Sequence, residues 1–265
     1  MSTASKEPPE DLGASFFGSR EVDPDEKAAL VARIFERVAE RYDLMNDLMS
    51  GGVHRLWKTS FVDQLAPRAG RRYLDVAGGT GDIALKILER LNRAEGPETG
   101  KTAEVIVADI NPTMLKVGRD RAMDLGKMGE ISWTAGDAEN LPFPDRSMDA
   151  YTIAFGIRNV THIEAALEEA YRVLAPGGAF LCLEFSKLGS GFLQRLYDRY
   201  SEKVIPRLGK WITGDRAGYE YLVESIRRFP NQERLAGLIA GAGFSRVGYR
   251  DLSGGVVAIH HGHRI

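Results

Sequence analysis

The segment Tyr73 to Leu85 reads YLDVAGGTGDIAL, a short apolar stretch followed by a glycine-rich turn and the start of an amphipathic segment. This pattern predicts a buried strand, a tight turn and a helix in immediate succession. Gly78, Gly79 and Gly81 have no Cβ atom, so the turn can approach a ligand closely and can adopt positive φ angles. The segment therefore predicts a strand, turn and helix with a ligand at the turn.

Short apolar stretches alternate with helical patterns along most of the chain, which is typical of a parallel sheet covered by helices on both faces. The predicted strands are Arg72 to Val76, Glu104 to Ala108, Ile131 to Thr134, Ala150 to Ala154, Ala179 to Phe185, Ser245 to Tyr249 and Gly254 to His260. The predicted helices are His54 to Leu65, Asp82 to Leu91, Pro112 to Leu125 and Ile163 to Leu174. This order of elements predicts an α/β fold.

Three stretches of the chain differ from this alternating pattern. Residues 1–23 mix Pro, Gly and Ser with charge and show no periodicity, so we expect a flexible N-terminal arm. Residues 24–66 carry apolar side chains three and four positions apart, which predicts N-terminal helices. Residues 190–240 interrupt the alternation with helical patterns and are expected to form an inserted helical lid. We therefore predict one domain over residues 24–265.

The composition is that of a globular protein, because 43% of the 265 residues are hydrophobic and 27% are charged. The 35 basic and 37 acidic residues leave a net charge of -2, so we expect no nucleic-acid partner. No stretch approaches the roughly 18 apolar residues of a membrane-spanning helix. The N-terminal residues contain no apolar signal segment, and a cytoplasmic location is expected.

Neither a disulfide nor a metal site is expected. Cys182 is the only cysteine, and its apolar neighbours in sequence predict a buried side chain. His260, His261 and His263 are close in sequence, but adjacent strand residues face opposite sides of a sheet, and no Cys or acidic residue accompanies them. We therefore predict no metal ligand.

Carboxylates flank the glycine turn, since Asp75 precedes it and Asp82 follows it. The G-x-G-x-x-G spacing of dinucleotide-binding proteins fits no register between Ala77 and Ile83. Two carboxylates would repel a pyrophosphate and would suit a cationic ligand. S-adenosylmethionine is such a ligand, because it carries an ammonium and a sulfonium and no phosphate.

Further polar residues follow the next two predicted strands. Asp109 is placed to accept hydrogen bonds from both ribose hydroxyls, and Asp137, next to Ala138, is placed to accept one from an adenine amino group. Ligands of open parallel sheets bind beyond the C-terminal ends of the strands, where all these residues fall. The predicted cofactor-binding residues are Asp75, Gly79, Thr80, Gly81, Asp109, Asp137 and Ala138.

This ordered set resembles the class I S-adenosylmethionine-dependent methyltransferases. The resemblance implies a Rossmann-like sheet of seven strands with the last strand antiparallel, and a methyl donor that lies across the first strands. Ala77 stands where that family usually has a third glycine of the motif.

Two other segments narrow the resemblance. YDLMNDLMSGGVHRLW (Tyr42 to Trp57) and RVLAPGGAFLCLEFS (Arg172 to Ser186) resemble the two signatures of the UbiE-type quinone C-methyltransferases, and FGIRNV (Phe155 to Val160) also looks like that family. The resemblance runs from about Glu26 to His261. This chain departs from the family in two further places: Ala175 replaces the usual Lys, and Ala154 stands where a relative can place a Ser near the donor.

The resemblance implies S-adenosylmethionine-dependent C-methylation of a polyprenylated hydroquinone ring in ubiquinone or menaquinone biosynthesis. The acceptor would be 2-polyprenyl-6-methoxy-1,4-benzoquinol, demethylmenaquinol or both. An unperturbed phenol has a pKa of about 10, so the site must stabilise a phenolate or remove the proton during attack. A positive charge or a base is therefore expected at the acceptor end.

Candidate catalytic residues are Arg158, Asn159 and His54. Arg158 follows the fourth predicted strand and can orient a water or bind a developing oxyanion, while the alternative is a structural ion pair with a nearby acid. His54 is the alternative base, or else a structural histidine. Tyr42 and Asn46 are four residues apart on one helix face and are candidates for the substrate wall.

A prenylated acceptor resides in the bilayer, so contact with a membrane is expected at its inner, cytoplasmic face. Residues Phe192 to Ile212 combine an apolar stripe with a basic stripe, and this segment either lies on an anionic membrane or packs on the protein. Contacts with other quinone-biosynthesis proteins and a homodimer are further expectations. Three other functions stay open: an RNA or other small-molecule methyltransferase, an inactive donor-binding subunit, and a dehydrogenase.

Overall fold

A seven-stranded sheet forms the centre of the described part of the chain. The computed structural model describes residues 16–17, 20–23, 26–27, 30–31, 33–34, 47, 50–94, 103–187 and 216–265. Two short strands, β1 (Phe16–Phe17) and β2 (Arg20–Glu21), pair with each other. The central strands are β3 (Arg72–Val76), β4 (Glu104–Asp109), β5 (Ile131–Ala135), β6 (Met148–Ala154), β7 (Leu174–Phe185), β8 (Ser245–Leu252) and β9 (Val257–His263).

The strand order is β5-β4-β3-β6-β7-β9-β8. Strands β3 to β7 pair in parallel, whereas β9 is antiparallel to both of its neighbours, β7 and β8. Parallel pairing requires crossover connections, which the helices between the strands supply. The α/β class and the antiparallel last strand that the sequence predicts are confirmed.

Helices cover both faces of the sheet. They are α1 (His54–Leu65), α2 (Asp82–Ala94), α3 (Pro112–Asp124), α4 (Ile163–Val173), α5 (Arg216–Arg228) and α6 (Gln232–Gly241). Successive strand residues point to opposite faces, so Tyr73 packs in one apolar cluster with α1 and α2, and Leu74 packs in the other with α4 and α6. The alternation of side chains thus builds two cores around one sheet.

The turn between α4 and β7 differs from the sequence prediction. The Pro176 to Gly178 segment was expected to end the helix, with the strand starting at Ala179, but the helix ends at Val173 and β7 starts at Leu174. Met148 pairs with Leu174 and Ala150 pairs with Ala179, so the intervening residues of β7 form an irregularity. A proline and two glycines are accommodated in this strand because the irregularity leaves them outside the regular ladder.

The helical patterns that flank the sheet are described in part. At the N terminus, Glu26, Lys27, Leu30, Val31, Arg33 and Ile34 are helical. In the predicted insertion, α5 and α6 are separate helices, and the Asn231 side chain caps α6 by accepting a hydrogen bond from the Arg234 amide. The basic stretch from Phe192 to Ile212 lies outside the described residues. The boundaries of arm, domain and lid therefore stay predictions.

Cys182 lies in the middle of β7 and is fully buried, and burial raises the pKa of its thiol well above the usual value. No helix in the described ranges has both the length and the apolar character that crossing a bilayer requires. Among the same residues, no group of three His, Cys, Asp or Glu side chains is arranged to hold a metal ion.

Candidate active site

A cleft opens at the C-terminal ends of β3, β4, β5 and β6, where open parallel sheets bind their ligands. Its interior, counted together with the open mouth, is about 1110 Å³. The lining includes six of the seven predicted cofactor-binding residues: Asp75, Gly79, Thr80, Asp109, Asp137 and Ala138. The seventh, Gly81, belongs to the same turn as Gly79 and Thr80. The topology thus brings together residues that are far apart in sequence.

The glycine turn between β3 and α2 is built for close approach. A Cβ on Gly78 would lie 2.7 Å from Asp75 Oδ2, and Gly79 has a φ of +50°. The Gly79 amide donates a hydrogen bond to Asp109 Oδ2 at 2.8 Å. A side chain at either glycine would therefore displace a carboxylate or strain the backbone.

Gly81 is required by a packing contact rather than by a ligand. Its Cβ would lie 2.5 Å from the Trp133 ring, and a Cβ on Gly118 of α3 would lie 2.4 Å from the same ring. Gly81 also has a φ of +74°. Gly81 in the turn and Gly118 on α3 therefore make room for Trp133.

Asp75 is the carboxylate with an open acceptor position. Its side chain is buried, and its Oδ1 accepts a hydrogen bond from the Thr152 hydroxyl at 2.9 Å. Oδ2 has no hydrogen-bond partner among the described residues. Burial raises the pKa of Asp75 to about 7, because the charged form loses its hydration. A ligand that donates a hydrogen bond or brings a positive charge would satisfy this oxygen.

Asp109 has both oxygens engaged by backbone amides. Oδ2 accepts from Gly79 and Oδ1 accepts from the Asn111 amide at 2.8 Å. Burial raises the pKa of Asp109 to about 6. Each carboxylate oxygen can accept a second hydrogen bond, so the predicted contact with two ribose hydroxyls is compatible with this geometry.

Asp82, the second carboxylate beside the turn, carries two ion pairs. Lys58 Nζ lies 2.7 Å from its Oδ2, and Arg121 Nη2 lies 3.2 Å from its Oδ1. Although burial raises the pKa of Asp82, the Lys58 and Arg121 charges outweigh that effect and lower it to about 2. The negative charge of Asp82 is therefore largely balanced within the protein.

Asp137 and Ala138 follow β5, at the end of the cleft where the sequence analysis expects the adenine. Asp137 is exposed, and its Oδ1 accepts a hydrogen bond from the Glu139 amide at 2.9 Å. Ala138 is buried in the wall of the cleft. The Asn140 amide also donates a hydrogen bond to the Asp137 carbonyl, which closes the turn.

Arg158 is buried against Glu184, the alternative that the sequence left open. Its Nη1 donates to Glu184 Oε1 at 2.9 Å and to the Phe155 carbonyl at 2.6 Å. The guanidinium lies 5.6 Å from the centre of the Phe185 ring. Its Nε has no partner among the described residues. Arg158 is not part of the cleft lining, and its catalytic role stays a prediction.

Asn159, the next residue, does line the cleft. Its Oδ1 accepts a hydrogen bond from the Tyr221 hydroxyl at 3.1 Å. Tyr221 belongs to α5 of the predicted insertion and is buried, and burial raises its pKa to about 12. Nothing in the sequence pointed to Tyr221, because it lies 62 residues from its partner.

His54 begins α1 and does not line the cleft. Its Nε2 lies 2.8 Å from Asp47 Oδ1, and its Nδ1 has no partner among the described residues. Burial lowers the pKa of His54, so the neutral ring is favoured near pH 7. Tyr42 and Asn46, the predicted substrate wall, lie outside the described residues.

Solved structures share this fold. A S-adenosylmethionine-dependent methyltransferase from Thermotoga maritima matches with a TM-score of 0.59 at 24% identity, covering 88% of this chain and 99% of that one. Phosphoethanolamine N-methyltransferase 2 of Haemonchus contortus, solved in complex with S-adenosyl-L-methionine, matches with a TM-score of 0.54 at 18% identity, covering 74% of this chain and 38% of that one. At these identities the likeness establishes the fold alone.

Sequence relatives are much closer. The chain is 55% identical over 260 residues to the mitochondrial 2-methoxy-6-polyprenyl-1,4-benzoquinol methylase of Arabidopsis thaliana, covering 93% of this chain and 89% of that protein. It is 54% identical over 251 residues to the ubiquinone/menaquinone biosynthesis C-methyltransferase UbiE of Brucella abortus, and the match covers 94% of this chain and 90% of that protein. The model of the ubiE/COQ5 methyltransferase family matches residues 22–264. The chain therefore belongs to the ubiE/COQ5 methyltransferase family, whose members are S-adenosylmethionine-dependent enzymes.

Proposed function

We propose that this enzyme transfers the methyl group of S-adenosylmethionine to a ring carbon of a polyprenylated hydroquinone. The acceptor is 2-polyprenyl-6-methoxy-1,4-benzoquinol, demethylmenaquinol or both. The names of the relatives at 54% and 55% identity support this assignment. In the structure, the supporting observation is the unpartnered, buried Asp75 Oδ2 beside a glycine turn that leaves no room for a side chain.

The residues of the cleft fit the methyl donor. Asp75 would hold its ammonium, Asp109 its ribose hydroxyls, and Asp137 with Ala138 its adenine. The backbone of Gly79, Thr80 and Gly81 would pass beside its amino-acid part. When bound, the donor supplies an activated methyl group on a sulfonium, so in-line positioning in a water-poor cleft provides most of the catalysis.

The acceptor ring requires help with its phenolic proton, and three residues are proposed to give it. Asn159 faces the cleft and is proposed to bind a quinol oxygen, with Tyr221 holding its amide in place. Arg158 is proposed to stabilise the phenolate through its fixed positive charge. His54 is the alternative proton acceptor, because burial favours its neutral form.

The acceptor half of the cleft is proposed to be apolar. Phe155, Ala154 and Val160 contribute to its wall, and Phe155 packs against Trp57 and Phe185 in an aromatic cluster. Such a surface excludes water and accommodates an aromatic ring. Tyr42 and Asn46 are proposed to complete this wall.

The decisive experiment is mass spectrometry of quinones extracted from cells with and without this protein. Accumulation of the demethylated quinol and its disappearance on complementation would establish both the activity and the acceptor. A matched assay supplies purified protein with a reduced short-chain quinol and donor labelled in its methyl group. An unchanged quinone profile, together with no label in the quinol, would overturn the proposal.

Contact with a membrane and with other proteins extends this proposal. We propose that the basic segment Phe192 to Ile212 brings the cytoplasmic enzyme to the inner face of an anionic membrane, where it meets its prenylated acceptor and other quinone-biosynthesis proteins. Flotation with anionic vesicles at low salt tests it, and protein that stays at the bottom of the gradient would refute it. Light scattering tests the proposed homodimer.

A further inference from the structure

Lys58 is a buried cation in the wall of the donor cleft. Within the described lining, five side chains are acidic and only Lys58 is basic; the acidic ones are Asp75, Asp82, Asp109, Asp137 and Glu139. Lys58 lies on α1, one turn after His54, and its side chain is 5% exposed. A lysine is rarely buried without an ionic partner, and this one faces a site that binds a cation.

The partner of Lys58 is Asp82, the first residue of α2. The two charged atoms, Nζ and Oδ2, lie 2.7 Å apart, and the Asp82 side chain is 19% exposed. The other Asp82 oxygen lies 3.2 Å from Arg121 of α3. The pair thus connects α1 to the helix that begins immediately after the glycine turn.

We propose that Lys58 is a positioning residue for the methyl donor: by neutralising Asp82, it leaves Asp75 as the carboxylate that receives the donor's ammonium. The inference deepens the proposed function, since it rests on the donor site, but it does not depend on which quinol is methylated.

The physical reason is that buried carboxylates close to one another cannot all stay ionised. The charged groups that act on Asp75 include Lys58 from α1, Asp82 from α2 and Asp109 from β4. The negative charges of Asp82 and Asp109 raise the pKa of Asp75, and the positive charge of Lys58 lowers it. Without Lys58, Asp75 would hold its proton more tightly and would attract the donor's ammonium less.

Asp82 is compensated from three directions. Lys58 from α1, Arg121 from α3 and Lys86 from α2 itself all lower its pKa. Of these three, Lys58 is the cation that lines the cleft and also acts on Asp75. Its removal therefore changes the charge of both carboxylates, whereas the other two act on Asp82.

The test measures binding of S-adenosylmethionine by titration calorimetry between pH 6 and pH 9. Lys58→Met should weaken binding about tenfold near pH 7 and move the pH of half-maximal affinity up by about one unit. Asp82→Asn should move that pH down. Without the negative charge of Asp82, the positive charge of Lys58 is no longer offset and lowers the pKa of Asp75 further. The double variant Lys58→Met with Asp82→Asn should return the midpoint to that of the wild type.

The control is the Lys116 and Asp120 pair on α3, which has the same chemistry but is exposed. Lys116→Met should leave donor affinity unchanged at every pH. If the double variant binds as weakly as Lys58→Met at every pH, Lys58 touches the donor directly and the inference is wrong. The inference would also be overturned if the pH of half-maximal affinity did not move up in Lys58→Met and down in Asp82→Asn. Should Lys58→Met fail to fold, Asp82→Asn and the double variant still decide the result.

The same titration separates this inference from the donor site itself. Wild-type protein that does not bind S-adenosylmethionine would refute the donor site, and with it the proposed function. Wild-type binding with unmoved midpoints in the variants would refute only the role of Lys58.

Discussion

Gly156 and Ala77 meet so closely that a Cβ on Gly156 would lie 2.5 Å from the Cβ of Ala77. Ala77 follows β3 directly and leads into the glycine turn, and it has a φ of +51°. Gly156 precedes Asn159 at the end of β6 and has a φ of -113°, which any residue can adopt. Gly156 is therefore required by the Cβ of Ala77 and not by its own backbone.

This relationship predicts that Gly156→Ala destabilises the protein by about 1–3 kcal/mol, because the added methyl group has nowhere to go. Ala77→Gly alone should change stability by less than about 1 kcal/mol, since relief of the left-handed backbone is offset by the entropy of glycine in the unfolded chain. The double variant should recover most of the loss. Urea unfolding measures all three, and a double variant as unstable as Gly156→Ala would contradict the clash.

Asp75→Asn should stabilise the donor-free protein while weakening donor binding. The folded protein holds the Asp75 proton up to a pKa of about 7, whereas an unperturbed Asp ionises near 3.8. This carboxylate therefore destabilises the fold progressively as pH rises from about 4 to about 7, and the cost is complete above that range. The gain at pH 8 should be on the order of 1–3 kcal/mol. Thermal unfolding at pH 5 and pH 8 checks it, because the gain should shrink at pH 5.

Donor affinity in the wild type should rise with pH. The ionised fraction of Asp75 increases about tenfold between pH 6 and pH 8 when its pKa is about 7, and affinity for the cationic end of the donor follows that fraction. Calorimetry across this range measures the rise. Asp75→Asn gives the reference, since any pH dependence that it retains must come from another group, with Asp109 next in order.

The buried pair of Arg158 and Glu184 can be tested by removing one charge or both. Glu184→Gln leaves Arg158 buried without its counter-charge and should cost about 3–5 kcal/mol of stability. Arg158→Met combined with Glu184→Gln should fold better than Glu184→Gln alone. If Arg158 stabilises the phenolate, this double variant should lose turnover by about 10²–10³-fold with donor affinity unchanged. Wild-type turnover in the double variant would show that the pair is structural.

Tyr221→Phe should raise the KM for the quinol about fivefold without changing donor affinity. The substitution removes one hydrogen bond to Asn159, worth about 1 kcal/mol, and keeps the ring in the core. Tyr249→Phe is the matched control, because the Tyr249 hydroxyl donates to Glu233 on the exposed surface. Equal effects of the two variants on the KM would argue against a role for Tyr221 in holding Asn159.

Most of the fold could be predicted from sequence because each strand is a short apolar stretch bounded by turn residues. The predicted β3 and α1 agree with the structure at both ends. The start of β7 was missed because Pro176 to Gly178 normally end an element, whereas here Leu174 before them and Ala179 after them both pair with β6. Tertiary pairing overrides local preference in that place.

The position of the cleft was predictable from the sequence, but the charge balance within it was not. Asp75 lies near the end of a predicted strand, Asp109 and Asp137 follow two others, and parallel strands place such residues at one edge. The ion pairs that balance the negative charge of Asp82 could not be predicted, because Lys58 precedes it by 24 residues and Arg121 follows it by 39. Likewise, the sequence left open whether Arg158 pairs with an acid, and Glu184 is 26 residues away. Ion pairs between distant residues have no local signature.

The burial of Cys182 in the central sheet has a practical consequence. It is the only cysteine in the sequence, and its thiol is fully buried with a raised pKa, so alkylating reagents will spare it in the native protein. A cysteine introduced on α5 and another on α3 would then carry spin labels or fluorophores without background labelling. Distances between such probes would report whether the two helices approach each other when S-adenosylmethionine and quinol bind.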